Sequence, residues 1–149
     1  MKRLTLAFAL GMGLLTLLNL SANAQDKDKD KSPNDVSAVR ATVTNYIEAY
    51  YTADAHRMEQ TLHPHYLKHM IHGDIRMREW NGAQMVEGTR ANNRASIPPA
   101  ERTEEVSVLD VAGNIASAKL VTPGWTDYLT LLKVDGEWKI LSVVQRIED

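Results

Sequence analysis

Residues 125–147 read Trp125-Thr126-Asp127-Tyr128-Leu129-Thr130-Leu131-Leu132-Lys133-Val134-Asp135-Gly136-Glu137-Trp138-Lys139-Ile140-Leu141-Ser142-Val143-Val144-Gln145-Arg146-Ile147. Two runs rich in β-branched and aromatic residues flank Asp135-Gly136. An Asp-Gly pair between two apolar runs is a strong hairpin signal, because both turn positions tolerate positive φ. With the turn there, Lys133 faces Trp138, Leu131 faces Ile140, Leu129 faces Ser142, Asp127 faces Val144 and Trp125 faces Arg146. Side chains alternate along a strand, so these pairs share one face. That face carries Trp138, Ile140, Leu131 and Leu129 and is the more apolar. It is therefore assigned inward, and Asp127 goes inward with it.

Working outward, 104–111 and 115–122 have the same alternating texture. Ala112-Gly113-Asn114 and Pro123-Gly124 punctuate them. Four strands in a meander leave one apolar face that needs a cover. The cover lies upstream. Val36, Val39, Val43, Tyr46, Ile47 and Tyr50 recur at spacings of three and four, which predicts an amphipathic helix over 34–52. Asp54 caps a second, short helix carrying Ala55, Met58 and Leu62, and His63-Pro64 stops it. A short strand is expected at 66–71, loop or irregular strand at 77–82, and a third helix at 84–94, weakened by Gly88. The expected class is α+β, a curved sheet wrapped over one long helix around a conical cavity.

The chain has 149 residues, 44% hydrophobic and 24% charged, which allows one ordinary domain. It has no cysteine, so disulfides, thiolate metal sites and a cysteine nucleophile are excluded. The formal charge of -2 gives no reason to expect nucleic acid as a partner. Residues 1–24 have a Lys2-Arg3 start, an apolar run from Leu4 to Leu20, and Ala22-Asn23-Ala24 in small-x-small form. That is the pattern of a cleaved signal peptide. A secreted protein is expected, periplasmic if bacterial, without stable membrane insertion after cleavage. Residues 25–33 alternate Asp and Lys before Ser32-Pro33 and read as a solvated tether. The folded domain is expected over 34–149.

Several segments together resemble a known family. They are Leu109-Asp110-Val111, Gly113-Asn114-Ile115-Ala116-Ser117-Ala118-Lys119, Gly124-Trp125-Thr126-Asp127-Tyr128-Leu129, and Lys133 with Gly136, Trp138, Lys139 and Ile140. His63-Pro64 with Lys68 belongs to the same pattern. The resemblance is to the "putative lumazine-binding" branch of the nuclear transport factor 2-like (NTF2-like) superfamily, and it spans most of 36–147. It implies a cone-shaped fold of the SnoaL and ketosteroid isomerase type, often dimeric through the sheet. The superfamily contains isomerases, dehydratases, polyketide cyclases and many binding domains without turnover, so the fold carries over and the activity does not.

Three functional readings stay open. The first is a pocket that binds a small, largely apolar molecule without turnover. The second is a cofactor-free isomerase, dehydratase or cyclase. Here Asp127 is general acid or base, with Tyr50 or Tyr46 as hydrogen-bond donor, or His69 as helper. A carboxylate at an apolar cavity wall has its pKa raised by desolvation, whereas pairing with Arg146 would lower it. The third is a structural homodimer with a vestigial pocket. The candidate ligand contacts are Tyr46, Tyr50, Lys68, Trp80, Trp125, Asp127 and Arg146, with Lys68 and Trp80 at the mouth. His69 is placed with Leu67 and Ile71 by strand parity. His63 is expected to fix the turn through a backbone hydrogen bond. His65, His69 and His72 would share a face only on a helix, and His63-Pro64 argues against one, so no metal is assigned. No cofactor is expected either: there is no phosphate-cradling glycine loop and no Gly-x-Ser-x-Gly elbow.

Overall fold

The computed structural model describes residues 33–73, 76–92 and 98–148. The expected signal peptide and all but the last residue of the expected tether lie outside these. In chain order the elements are α1 (Pro33–Thr52), α2 (Ala55–Thr61), β1 (Leu62–His72), β2 (Arg76–Asn81), α3 (Gly82–Arg90), β3 (Glu105–Ala112), β4 (Ile115–Thr122), β5 (Trp125–Val134) and β6 (Glu137–Ile147). A single 3-10 turn, Pro99–Glu101, precedes β3. Three helices pack on one face of an open six-stranded sheet of order β2-β1-β6-β5-β4-β3. Every neighbouring pair is antiparallel except β1 with β6. This is the expected α+β cone.

Local chemistry accounts for most boundaries. The Asp54 carboxylate accepts from the Arg57 backbone N–H at 2.9 Å and caps α2. Asn81 and Gln84 exchange side-chain and backbone hydrogen bonds in a capping box that starts α3. Asp135 and Gly136 have φ of 51° and 84°, the two positive values that a tight hairpin turn needs. The core lies between α1 and the sheet, with Val39, Val43, Tyr46 and Ile47 against Leu120, Leu131, Trp138 and Ile140.

The structure differs from the sequence reading at the start of the sheet. β1 begins at Leu62, directly after α2, and runs through His63-Pro64, while 76–81 is a full strand. Leu62 pairs with Ile140, but the next pair is Leu67 with Ser142. Pro64, which has no N–H to give a ladder, falls inside that irregular stretch. α3 starts two residues earlier than expected and ends at Arg90.

The hairpin holds the most consequential difference. Near the turn the pairs are as expected: Lys133 with Trp138 and Leu131 with Ile140. The next pair is Thr130 with Ser142, so Leu141 is an extra residue on β6, a β-bulge. Beyond it, Asp127 lies opposite Gln145, and Arg146 lies opposite Thr126. One extra residue exchanges the two faces of a strand. Val143 and Gln145 are therefore buried, while Val144 and Arg146 are exposed.

Candidate functional site

Asp127 points inward from β5 and is fully buried. Lys68 reaches the same place from β1, its side chain also buried, with Nζ 3.4 Å from Asp127 Oδ2. Lys68 Nζ donates to the Tyr46 hydroxyl oxygen at 3.0 Å. The Tyr46 and Tyr66 hydroxyls lie 3.4 Å apart. Asp127 Oδ1 is buried and accepts no hydrogen bond of good geometry. The Gln145 amide and Trp125 indole are nevertheless near enough to favour its ionised form.

Burial dominates the electrostatics. Loss of water raises the Asp127 pKa, and the attraction of Lys68 opposes this without cancelling it. Loss of water lowers the Lys68 pKa, and Asp127 opposes it in turn. Both shifts move a charged pair toward an amine beside a carboxylic acid. Burial also holds the Tyr46 hydroxyl well above the ordinary tyrosine value, so it keeps its proton.

A cavity of about 240 Å³ opens beside this group. Tyr46, Ile47, Tyr50, Met70, Trp80, Met85, Trp125 and Ile147 give it an aromatic and aliphatic wall, and Lys68, Gln145 and Arg78 supply polar ends. Tyr50 and Trp125 meet edge to face, with ring centroids 5.9 Å apart. Trp80 lies against α3 at Gly88, where an added Cβ would come within 2.5 Å of the ring. Only glycine lets the indole sit there.

Tyr46, Tyr50, Lys68, Trp80 and Trp125 thus line one cavity, but Lys68, expected at the mouth, is buried at the inner end beside Asp127, which lies behind it rather than on the wall. Arg146 is on the outer face, so it neither pairs with Asp127 nor lines the cavity as expected; Asp127 pairs with Lys68 instead, and the Leu141 bulge is the cause. His69 also faces outward. Its Nε2 lies 3.1 Å from Glu79 Oε1, and its parity with exposed Leu67 and Ile71 takes it away from the cavity. His63 Nδ1 accepts from the His65 backbone N–H at 3.0 Å, the expected turn contact. No three His, Asp or Glu side chains converge on a metal position among the described residues. Gln145, Met85 and Tyr66 were missed, because their facing depends on the bulge and on packing between distant elements.

A second, more open groove of about 510 Å³ lies between α1, α2 and the start of β6. Its charged groups are matched: Arg57 pairs with Glu48 and Asn45, and Lys139 with Glu137 and the Gln60 carbonyl.

The chain matches the family model described as "Putative lumazine-binding" over residues 34–145. No curated protein matches it. Among solved structures it resembles an NTF2-like protein of unknown function from Silicibacter pomeroyi. There the TM-score is 0.68 at 21% identity, covering 77% of this chain and 97% of that one. A similar protein from Shewanella baltica gives a TM-score of 0.64 at 17% identity, covering 80% and 98%. A ketosteroid isomerase-like protein from Erwinia carotovora atroseptica gives 0.56 at 10% identity, covering 79% and 99%. At these identities the likeness is one of fold.

Proposed function

The chain belongs to the "Putative lumazine-binding" family of the NTF2-like superfamily, and from that premise we propose that it binds a small, largely apolar molecule in the conical cavity. The observation that carries this is the wall itself: eight aromatic and aliphatic side chains, with Lys68, Gln145 and Arg78 as polar ends. Such a site holds a ligand body by burial and fixes one end by hydrogen bonding. Lys68 and Gln145 are the inner polar end, and Arg78 is exposed at the rim.

Calorimetry tests this. 2-Naphthylmethanol, an apolar bicycle with one hydroxyl, should bind saturably with one site per chain. Met70→Trp, which fills the cavity, should abolish that binding. Lumazine, the molecule in the family's name, is more polar and should bind more weakly. Equal binding by the Met70→Trp variant would remove the cavity from the reading.

Acid–base catalysis is the second reading, and the raised Asp127 pKa favours it. The carboxylate does not line the cavity, so it would act through Lys68 rather than touch a substrate. Exchange of the methyl protons of 2-acetonaphthone in heavy water, lost in Asp127→Asn, would support turnover.

The proposal places the mature protein outside the cytoplasm, with Gln25 as its first residue. N-terminal sequencing of the exported protein checks this, and a start at Met1 would overturn it. It also includes a homodimer through the outer face of the sheet. Leu67, Ile71, Tyr128 and Val144 share that face, exposed and uncovered by any described helix. Tyr128→Glu should convert a dimer to a monomer in light scattering.

A further inference from the structure

Lys68 is the one described lysine whose side chain is buried. Lys119, Lys133 and Lys139 keep access to water. Lysine is seldom buried, because stripping water from an ammonium costs far more than its stem gains by packing. A buried Lys–Asp pair does not repay that cost well, and apolar side chains of similar size often serve stability better. Here the amine sits on the wall of a cavity, and both of its hydrogen-bond partners can handle protons. Tyr46 accepts from Nζ and keeps its own hydroxyl proton; Asp127 lies 3.4 Å away.

Resting on the cavity-binding reading above, we infer that Lys68 Nζ forms a reversible imine with an aldehyde or ketone carbon seated in this cavity. The neutral amine attacks the carbonyl carbon through its lone pair. A C–N bond forms as the C=O π bond breaks, and one of the two amine protons passes to the carbonyl oxygen to give a neutral carbinolamine. The nitrogen then loses its remaining proton as the hydroxyl leaves with a proton as water, and C=N forms. Nothing is oxidised or reduced, and hydrolysis reverses each step.

The neighbours match these demands. A nucleophilic lysine must be unprotonated, and desolvation here lowers the Lys68 pKa. Asp127, with its pKa raised, is poised to hold the proton that the amine gives up and to return it for loss of water. The neutral Tyr46 hydroxyl is 3.0 Å from the attacking nitrogen, within reach of an oxygen bonded to the same carbon. Trp80, Trp125 and Tyr50 supply a wall for the rest of the ligand. The titratable groups around Nζ are Asp127 from β5, Tyr46 and Tyr50 from α1, Tyr66 from β1 and Arg78 from β2 at the rim.

The test treats the intact protein with 2-naphthaldehyde and sodium cyanoborohydride near neutral pH and maps the reduced adduct by peptide mass spectrometry. One naphthylmethyl group per chain is expected, on Lys68. It should form faster than on any other lysine, since the aldehyde is held beside Nζ and a lowered pKa leaves more of the amine free. Asp127→Asn removes the charge that holds the Lys68 pKa up, so its labelling profile should move to lower pH. Lys68→Arg should leave only slow background labelling. Labelling spread evenly over surface lysines, or a profile unmoved in Asp127→Asn, would overturn the imine. Binding of 2-naphthylmethanol separates the two ideas. If the alcohol binds and the aldehyde leaves Lys68 unmarked, the cavity reading stands and the imine falls; if neither engages the protein, both fall.

Discussion

Two aspartate–lysine pairs sit at opposite ends of the β5–β6 hairpin, each beside a tryptophan. Near the turn, Asp35 of α1 accepts from Lys133 Nζ at 2.6 Å and from Trp138 Nε1 at 3.1 Å. At the far end, Asp127 and Lys68 lie 3.4 Å apart next to Trp125. The residue types are the same and the electrostatics are opposite. Hydrogen bonds from Lys133 and Trp138 lower the Asp35 pKa, and water still reaches the pair. Burial raises the Asp127 pKa despite its lysine. An ion pair that keeps its water is a tie between helix and sheet. One that loses its water is held near the point of proton transfer, and here that pair borders a cavity.

The largest effect should come from truncating the tryptophan near the turn, which packs in the core and donates to Asp35. Trp138→Ala should cost about 3–5 kcal/mol in urea unfolding, the range for large aromatics in packed cores. Trp125→Ala should cost less, because one side of that ring already faces open space. A larger loss at Trp125 would break this ranking of the two ends.

The next largest effect concerns the lysines. Lys68→Met should cost about 3 kcal/mol at neutral pH, because it leaves a buried carboxylate without its partner. The sign with pH follows from linkage. With Lys68 gone, the folded-state pKa of Asp127 lies still further above its unfolded value. The folded state then holds the extra proton, so the loss is absent below the unfolded pKa and grows as pH rises through the window between the two values. Lys133→Met should be milder; its loss also grows as pH rises, but over a window below the unfolded Asp value rather than above it. Asp35 contributes stability above its unfolded pKa and loses it as pH falls through the lowered folded value. Denaturation midpoints of both variants across acid and neutral pH would sharpen the contrast, and losses that grow over the same pH window would abolish it.

A smaller change should be seen by carbon-detected NMR. Asp35 should titrate below 3.8 and Asp127 above it. Arg146→Gln should leave Asp127 where it was, because Arg146 is on the other face. A rise of the Asp127 midpoint in that variant would mean that Arg146, not Lys68, is its partner.

The smallest effect on stability is expected at Gly88→Ala. Helix propensity gains about 1 kcal/mol, and the clash with Trp80 offsets it. The net change in stability should stay under about 1 kcal/mol, while 2-naphthylmethanol binds more weakly as the indole is pushed from its seat. Unchanged binding would remove Trp80 from the site.

Much of this architecture follows from short-range rules that a sequence displays. Spacings of three and four put Val39, Val43, Tyr46 and Ile47 on one face of α1. Asp135-Gly136 requires a tight turn, and alternation assigned Trp138, Ile140, Leu131 and Asp127 inward. These depend only on helical and strand periods and on the φ each residue tolerates. They cover the fold class, the bounds of β4 and β5, and the inward facing of three members of the cavity lining: Tyr46, Tyr50 and Trp125.

Tertiary structure decided what those rules leave free. Strand parity holds only until a residue is inserted, and nothing local marks Leu141 as the extra one. The bulge belongs to the curvature that β6 takes between β1 and β5, and it exchanged Arg146 for Gln145 at the site. The parallel pairing of β1 with β6 joins segments far apart in sequence. That pairing set which face of β1 turned inward, so Lys68 entered the core while His69 was left to Glu79. A periodic pattern can say that two side chains share a face; which distant charge meets Asp127 is fixed only when the sheet closes over the helix and the water between them is expelled.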